Sequence, residues 1–438
     1  MVKQNSKYIG LCIILYKIFL DFSYPRISES WFYYYNFNLE FDLLNYLLTW
    51  VITIGVILMV KRVLSCEFKA SSIIFLILLL VSYYPFLTML TYSAITLRTV
   101  IYNSIYFFII FFVNYVFVMN PNSKKSSVKI KRGFKIIAPL ALIVCVASIA
   151  AISYIYTGFR FSLSLDSVYE WRSENKASMG VFARYLFGAA IACNVTLISY
   201  YFVKRKYIPC VLLGFIQILA FCVDGLKGTL FMLVFSLLSF FIPKKKSVLK
   251  YIPIGACGIC GVALLESFVL GSRKLLDVIL RRIMFLPALI TEYYVDFFSI
   301  NSPDFFRQGM LRRIGFESIY EREISYMIGA VYSIDGINFN SGLLSDAVSN
   351  LGIVGVFVMP VVFAIFLKIF DRCAEGLDTK VIFTASIVVA WFALSSTLTT
   401  MLFTHGVFIL MIFLRLMPRE NALKLNDLGL MARTQIRS

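Results

Sequence analysis

The chain has 438 residues, a formal charge of +18 and a 60% apolar composition, with a mean hydropathy of +0.82, whereas ordinary globular proteins are about 45–50% apolar. Charged residues make up 15% of it, clustered between apolar runs of about 20 residues, the length that crosses about 30 Å of hydrocarbon. A soluble enzyme and a disordered tail are excluded, and the sequence predicts an all-α polytopic membrane protein.

The first apolar run, Tyr8 to Phe22, follows Lys3 and Lys7 and has a signal-like length. No small-residue cleavage site precedes Tyr24-Pro25, so it is read as a retained first helix. Spans are predicted at 8–24, 41–60, 71–92, 100–119, 136–156, 179–203, 208–223, 229–242, 251–270, 347–369, 381–403 and 405–417, about twelve in all. On this topology Lys61-Arg62, Lys124-Lys125, the Lys129/Lys131/Arg132/Lys135 cluster, Lys204-Arg205-Lys206 and Lys244-Lys245-Lys246 all fall on one side. The positive-inside rule makes that side cytoplasmic and places both termini there. The basic excess is then an orientation signal, and no nucleic-acid partner is expected. None of the nine cysteines falls in an outer loop, so no disulfide is expected. Cys257-Gly-Ile-Cys260 lies in the small-residue run Gly255 to Gly261, which suits close helix packing.

This divides the chain into residues 1–270, with nine spans and a charged outer loop at 157–178; a large, partly helical outer loop at 271–346 between spans nine and ten; spans ten to twelve at 347–417; and a cytoplasmic tail at 418–438. The 157–178 loop carries Arg160, Asp166, Glu170, Trp171, Arg172, Glu174 and Lys176. In the large loop, Leu275 to Phe298 has helical periodicity that Pro287 is expected to kink or end. Between 208 and 242 two short spans flank Asp224-Gly225-Leu226-Lys227-Gly228. A re-entrant or tilted pair would hold Asp224 and Lys227 at membrane depth, lining a polar cavity; the plain alternative is that they neutralise each other.

No Walker loop, dinucleotide glycine motif, HExxH or GxSxG is present, and His405 is the only histidine, so neither a cofactor nor a metal site is expected. His405, in the turn Phe403 to Gly406, is read as an interfacial turn residue. Outer-side cations are disfavoured by the positive-inside rule and each requires a reason. Arg273, Lys274, Arg281, Arg282, Arg98, Arg184 and Lys227 are such cations. Guanidinium forks suit a pyrophosphate, and the bland reading is snorkelling to headgroups or pairing with Glu266, Glu292 or Asp296. Glu292 and Asp296 share a helical face and Asp346 sits where the chain returns to the membrane; Glu292 and Asp346 are the candidate bases.

These residues resemble the O-antigen (oligosaccharide repeat-unit) polymerases of Gram-negative bacteria. Asp224-Gly-Leu-Lys227-Gly-Thr-Leu-Phe231 is similar to that family's Gly-Lys/Arg-Gly/Ser turn before a span. Arg281-Arg282-Ile-Met-Phe-Leu-Pro287, continuing to Tyr293-Tyr294-Val-Asp296-Phe297-Phe298, is similar to its Arg-x-x-x-x-Pro and Tyr-x-x-Phe-Phe segment. Asn340-Ser-Gly342, Asp346 and Asn350-Leu-Gly352-Ile-Val-Gly355 resemble its Asn-x-Gly, Asp, Asn-x-Gly-x-x-Gly motif, with Asn-Ser-Gly in place of the usual Asn-Thr-Gly.

The resemblance implies a multi-pass protein of the bacterial inner membrane, the large loop being periplasmic. It implies transfer of a growing glycan from undecaprenyl pyrophosphate to the non-reducing end of a lipid-linked repeat unit. Pyrophosphate would be held by Arg281, Arg282, Lys227, Arg273, Arg98 and Arg184, and glycan by Tyr293, Tyr294, Asp296, Asn340 and Asn350. The implied partners are undecaprenyl-pyrophosphate-linked oligosaccharides, membrane lipid, and a chain-length regulator and flippase of the same pathway. An O-antigen ligase would be expected to carry a histidine between Gly271 and Asp346, where there is none. A flippase would be expected to show two related halves and no large outer domain.

Overall fold

The computed structural model describes residues 2–117, 133–159, 179–243, 247–309, 311–340 and 342–419. The charged loop residues from Arg160 to Ser178, the basic residues 124–132 and 244–246, Ser341 and the tail from residue 420 lie outside the described residues. Within them the chain is helical throughout, with no strand, and ten helices are long and apolar enough to cross a membrane by length and composition. This is the architecture of a polytopic helical membrane protein.

The helices are α1 (Val2–Tyr35), α2 (Leu43–Ser65), α3 (Ala70–Thr91), α4 (Leu97–Val116), α5 (Ile137–Thr157), α6 (Val181–Val203), α7 (Tyr207–Asp224), α8 (Lys227–Leu238), α9 (Val248–Val269), α10 (Leu276–Ile300), α11 (Ile324–Tyr332), α12 (Leu343–Ala374), α13 (Thr379–Ser395) and α14 (Val407–Leu416). Buried α3 is central, whereas α2 keeps most of its apolar surface outward, as a lipid-facing helix does. Buried hydrogen bonds join neighbouring helices: Asn194 donates to Gln217, which donates to the Thr229 carbonyl, and Ser199 bonds Thr384 and Ser239. Asn194, although in a glycosylation sequon, is fully buried.

Proline does not stop the helices where the sequence suggests it should. α1 runs through Pro25 to Tyr35 rather than ending at residue 24. Proline deprives the carbonyl four residues earlier of its N–H partner; here that carbonyl, on Asp21, accepts the Tyr92 hydroxyl at 2.9 Å. At Pro287, a π-helical stretch from Leu276 to Phe285 passes directly into α-helix, with Pro287 in its first turn, where a missing N–H costs least. α10 is therefore one continuous 25-residue element.

Call the end of the bundle where α1 finishes the upper end. The start of α10 is fixed there, since Trp31 donates to Asp277 and Arg273 donates to the Arg26 carbonyl. The second half of α10 is fixed there too: Thr96, which caps the start of α4, donates to Glu292, and Thr291 accepts from Ser345 at the start of α12. Both ends of α10 thus lie at the upper end, while its middle reaches Tyr16 of α1, whose hydroxyl also bonds the Leu80 carbonyl in the middle of α3; its length and composition would also suit a span. α7 and α8 are not a re-entrant pair, because the one-turn extension of α8 reaches the lower end, where Lys380 at the start of α13 donates to Ser239 and Phe240.

α12 begins at Leu343 and breaks at Gly352, whose φ of 57° falls in the left-handed region that favours glycine. The break leaves the Ser349 and Asn350 carbonyls to accept the backbone N–H groups of Asp304 and Phe305 at 2.8 and 3.1 Å. Asn350 Oδ1 also accepts the N–H of Phe306. The Asn350-Leu-Gly352 motif is in this way the anchor of the segment that follows α10.

Candidate functional site

A cavity of about 500 Å³ opens at the upper end of the bundle, between the starts of α6 and α8, the middle of α10 and the end of α13. Its floor begins with a tight reversal. Asp224 closes α7, Gly225 takes φ 60°, and the Asp224 carboxylate accepts the Leu226 N–H at 2.8 Å and the Thr229 hydroxyl at 2.6 Å. That directs the first turn of α8, with its unsatisfied N–H groups and the positive end of its dipole, toward the cavity. Lys227 is the first residue of that turn.

Arg184, Lys227 and Arg282 line the cavity, opposed by one carboxylate, Asp224. Arg184 donates through Nε to the Met179 carbonyl at 2.9 Å. Arg282 is exposed and makes no ion pair or hydrogen bond among the described residues. The remaining wall is largely apolar, with Phe187, Ile191, Phe231, Met232, Val278 and Trp391. A cationic rim, a helix N-terminus and an apolar wall together suit an amphiphile with an anionic phosphate head.

The far wall is the turn from Ser396 to Gly406. It approaches α6 backbone to backbone: a Cβ on Gly188 would lie 2.1 Å from the Thr404 carbonyl oxygen, and Gly406 has φ 71°. His405 reaches the cavity from this turn, stacked on Phe392 with ring centroids 4.2 Å apart and with Nε2 3.0 Å from Ser396 Oγ. It lies outside the helices of the bundle, and burial lowers its imidazole to about 4, so it is neutral at physiological pH.

Of the six cations that sequence reasoning groups around a pyrophosphate, the structure brings Arg184, Lys227 and Arg282 together and leaves three elsewhere. Arg281, next to Arg282 on α10, is buried on the opposite side with its guanidinium 3.7 Å from the Trp31 ring and Nε 3.3 Å from Asp277. Arg273 is tied to Arg26, Ser30 and Glu29 at the end of α1. Arg98 pairs with Asp296 at 3.4 Å.

Neither candidate base lines the cavity. Glu292 is buried and accepts the Thr96 N–H and hydroxyl at 3.1 and 3.2 Å. Asp346 is buried and accepts Asn350 Nδ2 at 2.8 Å and the Leu398 N–H at 2.9 Å.

Among the glycan candidates, Asn340 lines the cavity. Tyr293 stacks on Tyr332 at 4.6 Å, Tyr294 donates to the Phe339 carbonyl, and Asp296 accepts the Tyr332 hydroxyl, so these three pack α10 against α11 and the segment that follows it. Asn350 is engaged in the anchor described above. Asp224, His405 and Trp391 are among the cavity residues absent from the sequence-derived set. Signals existed for the first two, an intramembrane carboxylate and a lone histidine beside a glycine; nothing marked Trp391. Among the described residues no cluster of three or more metal-ligating side chains is present. No known family model, curated protein or solved structure matches the chain.

Proposed function

We propose that the protein is an O-antigen (oligosaccharide repeat-unit) polymerase, and that the cavity between α6, α8, α10 and α13 holds the undecaprenyl pyrophosphate of the donor. The observation that carries this reading is the convergence of Arg184, Lys227 and Arg282 with the N-terminus of α8 on a cavity whose other walls are apolar. The polyprenyl chain packs along Phe231, Met232 and Val278 while the cations face the phosphates. The topology that fits has twelve passes through the inner membrane, both ends of α10 at the periplasmic end, and both termini cytoplasmic.

In the transfer, the acceptor hydroxyl oxygen bonds to the anomeric carbon as the bond from that carbon to the pyrophosphate oxygen breaks. The electron pair leaves on the pyrophosphate, where Arg282, Lys227 and Arg184 stabilise the developing charge without a metal ion. The hydroxyl proton passes to His405. Its buried imidazole is a weak base, and the anionic pyrophosphate raises its pKa when the donor is bound.

His405 on the cavity wall favours a second reading, in which the same donor is passed to another acceptor, as in a ligase. Deleting the gene in its own host and running the lipopolysaccharide on a gel separates the readings. Core carrying one repeat unit supports the polymerase. Bare core with accumulated lipid-linked polymer supports the ligase, and bare core with unpolymerised units trapped inside overturns both in favour of a flippase.

A further inference from the structure

A second cavity, of about 550 Å³, lies on the other side of the turn that carries His405. It is lined by Tyr185, Gln308, Gly309, Arg312, Thr399, Thr400, Phe403 and Thr404. The two cavities share Thr404 as a wall residue, and Arg184 and Tyr185, adjacent in α6, line one each. The Ser396–Gly406 turn, held against α6 at Gly188, is therefore a partition between two chambers.

The chambers differ in chemistry. The first has an aliphatic and aromatic wall suited to a polyprenyl chain; among the described residues, the second has no aliphatic side chain and no carboxylate in its lining. It offers two aromatic faces, three threonines and a guanidinium with no ion pair among the described residues. Aromatic faces, hydroxyls and a planar multiple donor are the groups that recognise sugar rings and their hydroxyls. Three of its lining residues come from the segment after α10, four from the turn and one, Tyr185, from the start of α6, so it lies toward the upper end of the molecule. Its volume is in the range of pockets that enclose small ligands.

We propose that this second cavity is the acceptor subsite and binds the non-reducing end of an oligosaccharide, presenting its terminal hydroxyl at the Thr404–His405 partition opposite the donor pyrophosphate. The proposal rests on the polymerase reading for the word acceptor, but saccharide binding in this cavity can be tested without it.

The test uses the full chain in lipid nanodiscs and two probes: undecaprenyl pyrophosphate, and the oligosaccharide released by mild acid from the host's lipid-linked pool. Gly309→Trp fills the cavity from a position with room for a side chain, since a Cβ there meets nothing closer than 3.7 Å. Arg312→Ala removes the donor without adding bulk. Both variants are expected to weaken oligosaccharide binding about tenfold or more, the effect of about 1.4 kcal/mol, while undecaprenyl pyrophosphate binding stays within about twofold and shows that the variants are folded. Arg282→Ala is expected to do the reverse. Unchanged oligosaccharide binding in Arg312→Ala and Gly309→Trp, loss only in Arg282→Ala, or no binding to the wild type overturns the proposal. If the cavity variants lose the oligosaccharide but deletion of the gene leaves long chains intact, the saccharide site stands and the polymerase reading falls.

Discussion

The Asp346 carboxylate accepts the backbone N–H of Leu398 at 2.9 Å, and so ties the first turn of α12 to the start of the turn bearing His405. Its other oxygen accepts Asn350 Nδ2 at 2.8 Å. Buried and engaged at both oxygens, Asp346 is a brace for the cavity wall.

Asp346→Ala leaves the Leu398 N–H without its acceptor, costing about 1–3 kcal/mol, and leaves the Asn350 amide only the Asp346 backbone carbonyl as an acceptor at this position. The expected outcome is a marked drop in melting temperature in detergent, with folded protein still able to bind undecaprenyl pyrophosphate. Unchanged melting with complete loss of transfer would instead mark Asp346 as a catalytic base.

The neighbours Arg281 and Arg282 should behave differently. Arg281→Ala removes a cation–π contact with Trp31 and an ion pair with Asp277, a loss of about 1–2 kcal/mol for a largely desolvated contact. It should lower stability and loosen α10 from α1, seen as faster hydrogen exchange there, with donor affinity in the folded fraction close to wild type. Arg282→Ala should leave stability unchanged and reduce donor affinity.

The position of His405 depends on backbone contact between Gly188 and Thr404. Gly188→Val should push the turn off α6, cost about 1–3 kcal/mol by overpacking, and reduce transfer more than it reduces donor binding. Equal transfer by this variant would show that the turn does not position a reacting group.

Transfer should fail on the acid side as His405 becomes protonated, because an imidazolium cannot accept the hydroxyl proton. The acid limb should lie above about 4, the value to which burial lowers the imidazole, since bound pyrophosphate favours the protonated form. In His405→Gln the rate should fall by roughly 10²-fold and the limb should disappear from a pH–rate profile. A limb that persists would assign it to another group, Asp224 being the other titratable side chain with a carboxylate on the cavity.

Hydrophobic run length made the helical passes legible in the sequence, and the excess of outer cations marked Arg184, Lys227 and Arg282 as requiring an explanation. Adjacent Arg281 and Arg282 could not be told apart, because which one faces the cavity depends on how α10 packs in the bundle. Asp346 and Asn350 each resemble site residues by type and spacing; their mutual bond is local to α12, but the bond that braces the turn at Leu398 is long-range. The expected kink or end at Pro287 and the first span's expected end at residue 24 both fail because the compensating partners, the π-helical run-in and the Tyr92 hydroxyl, are set by the fold rather than by local pattern.

The most direct test of the account is to restore the deletion strain with Arg282→Ala at wild-type protein level and compare lipopolysaccharide ladders. Arg282 is exposed in the cavity and has no partner among the described residues, so its loss should leave the fold intact and remove the charge that meets the leaving pyrophosphate. The account predicts loss of the long chains, with core carrying one repeat unit retained. An unchanged distribution of chain lengths would contradict it.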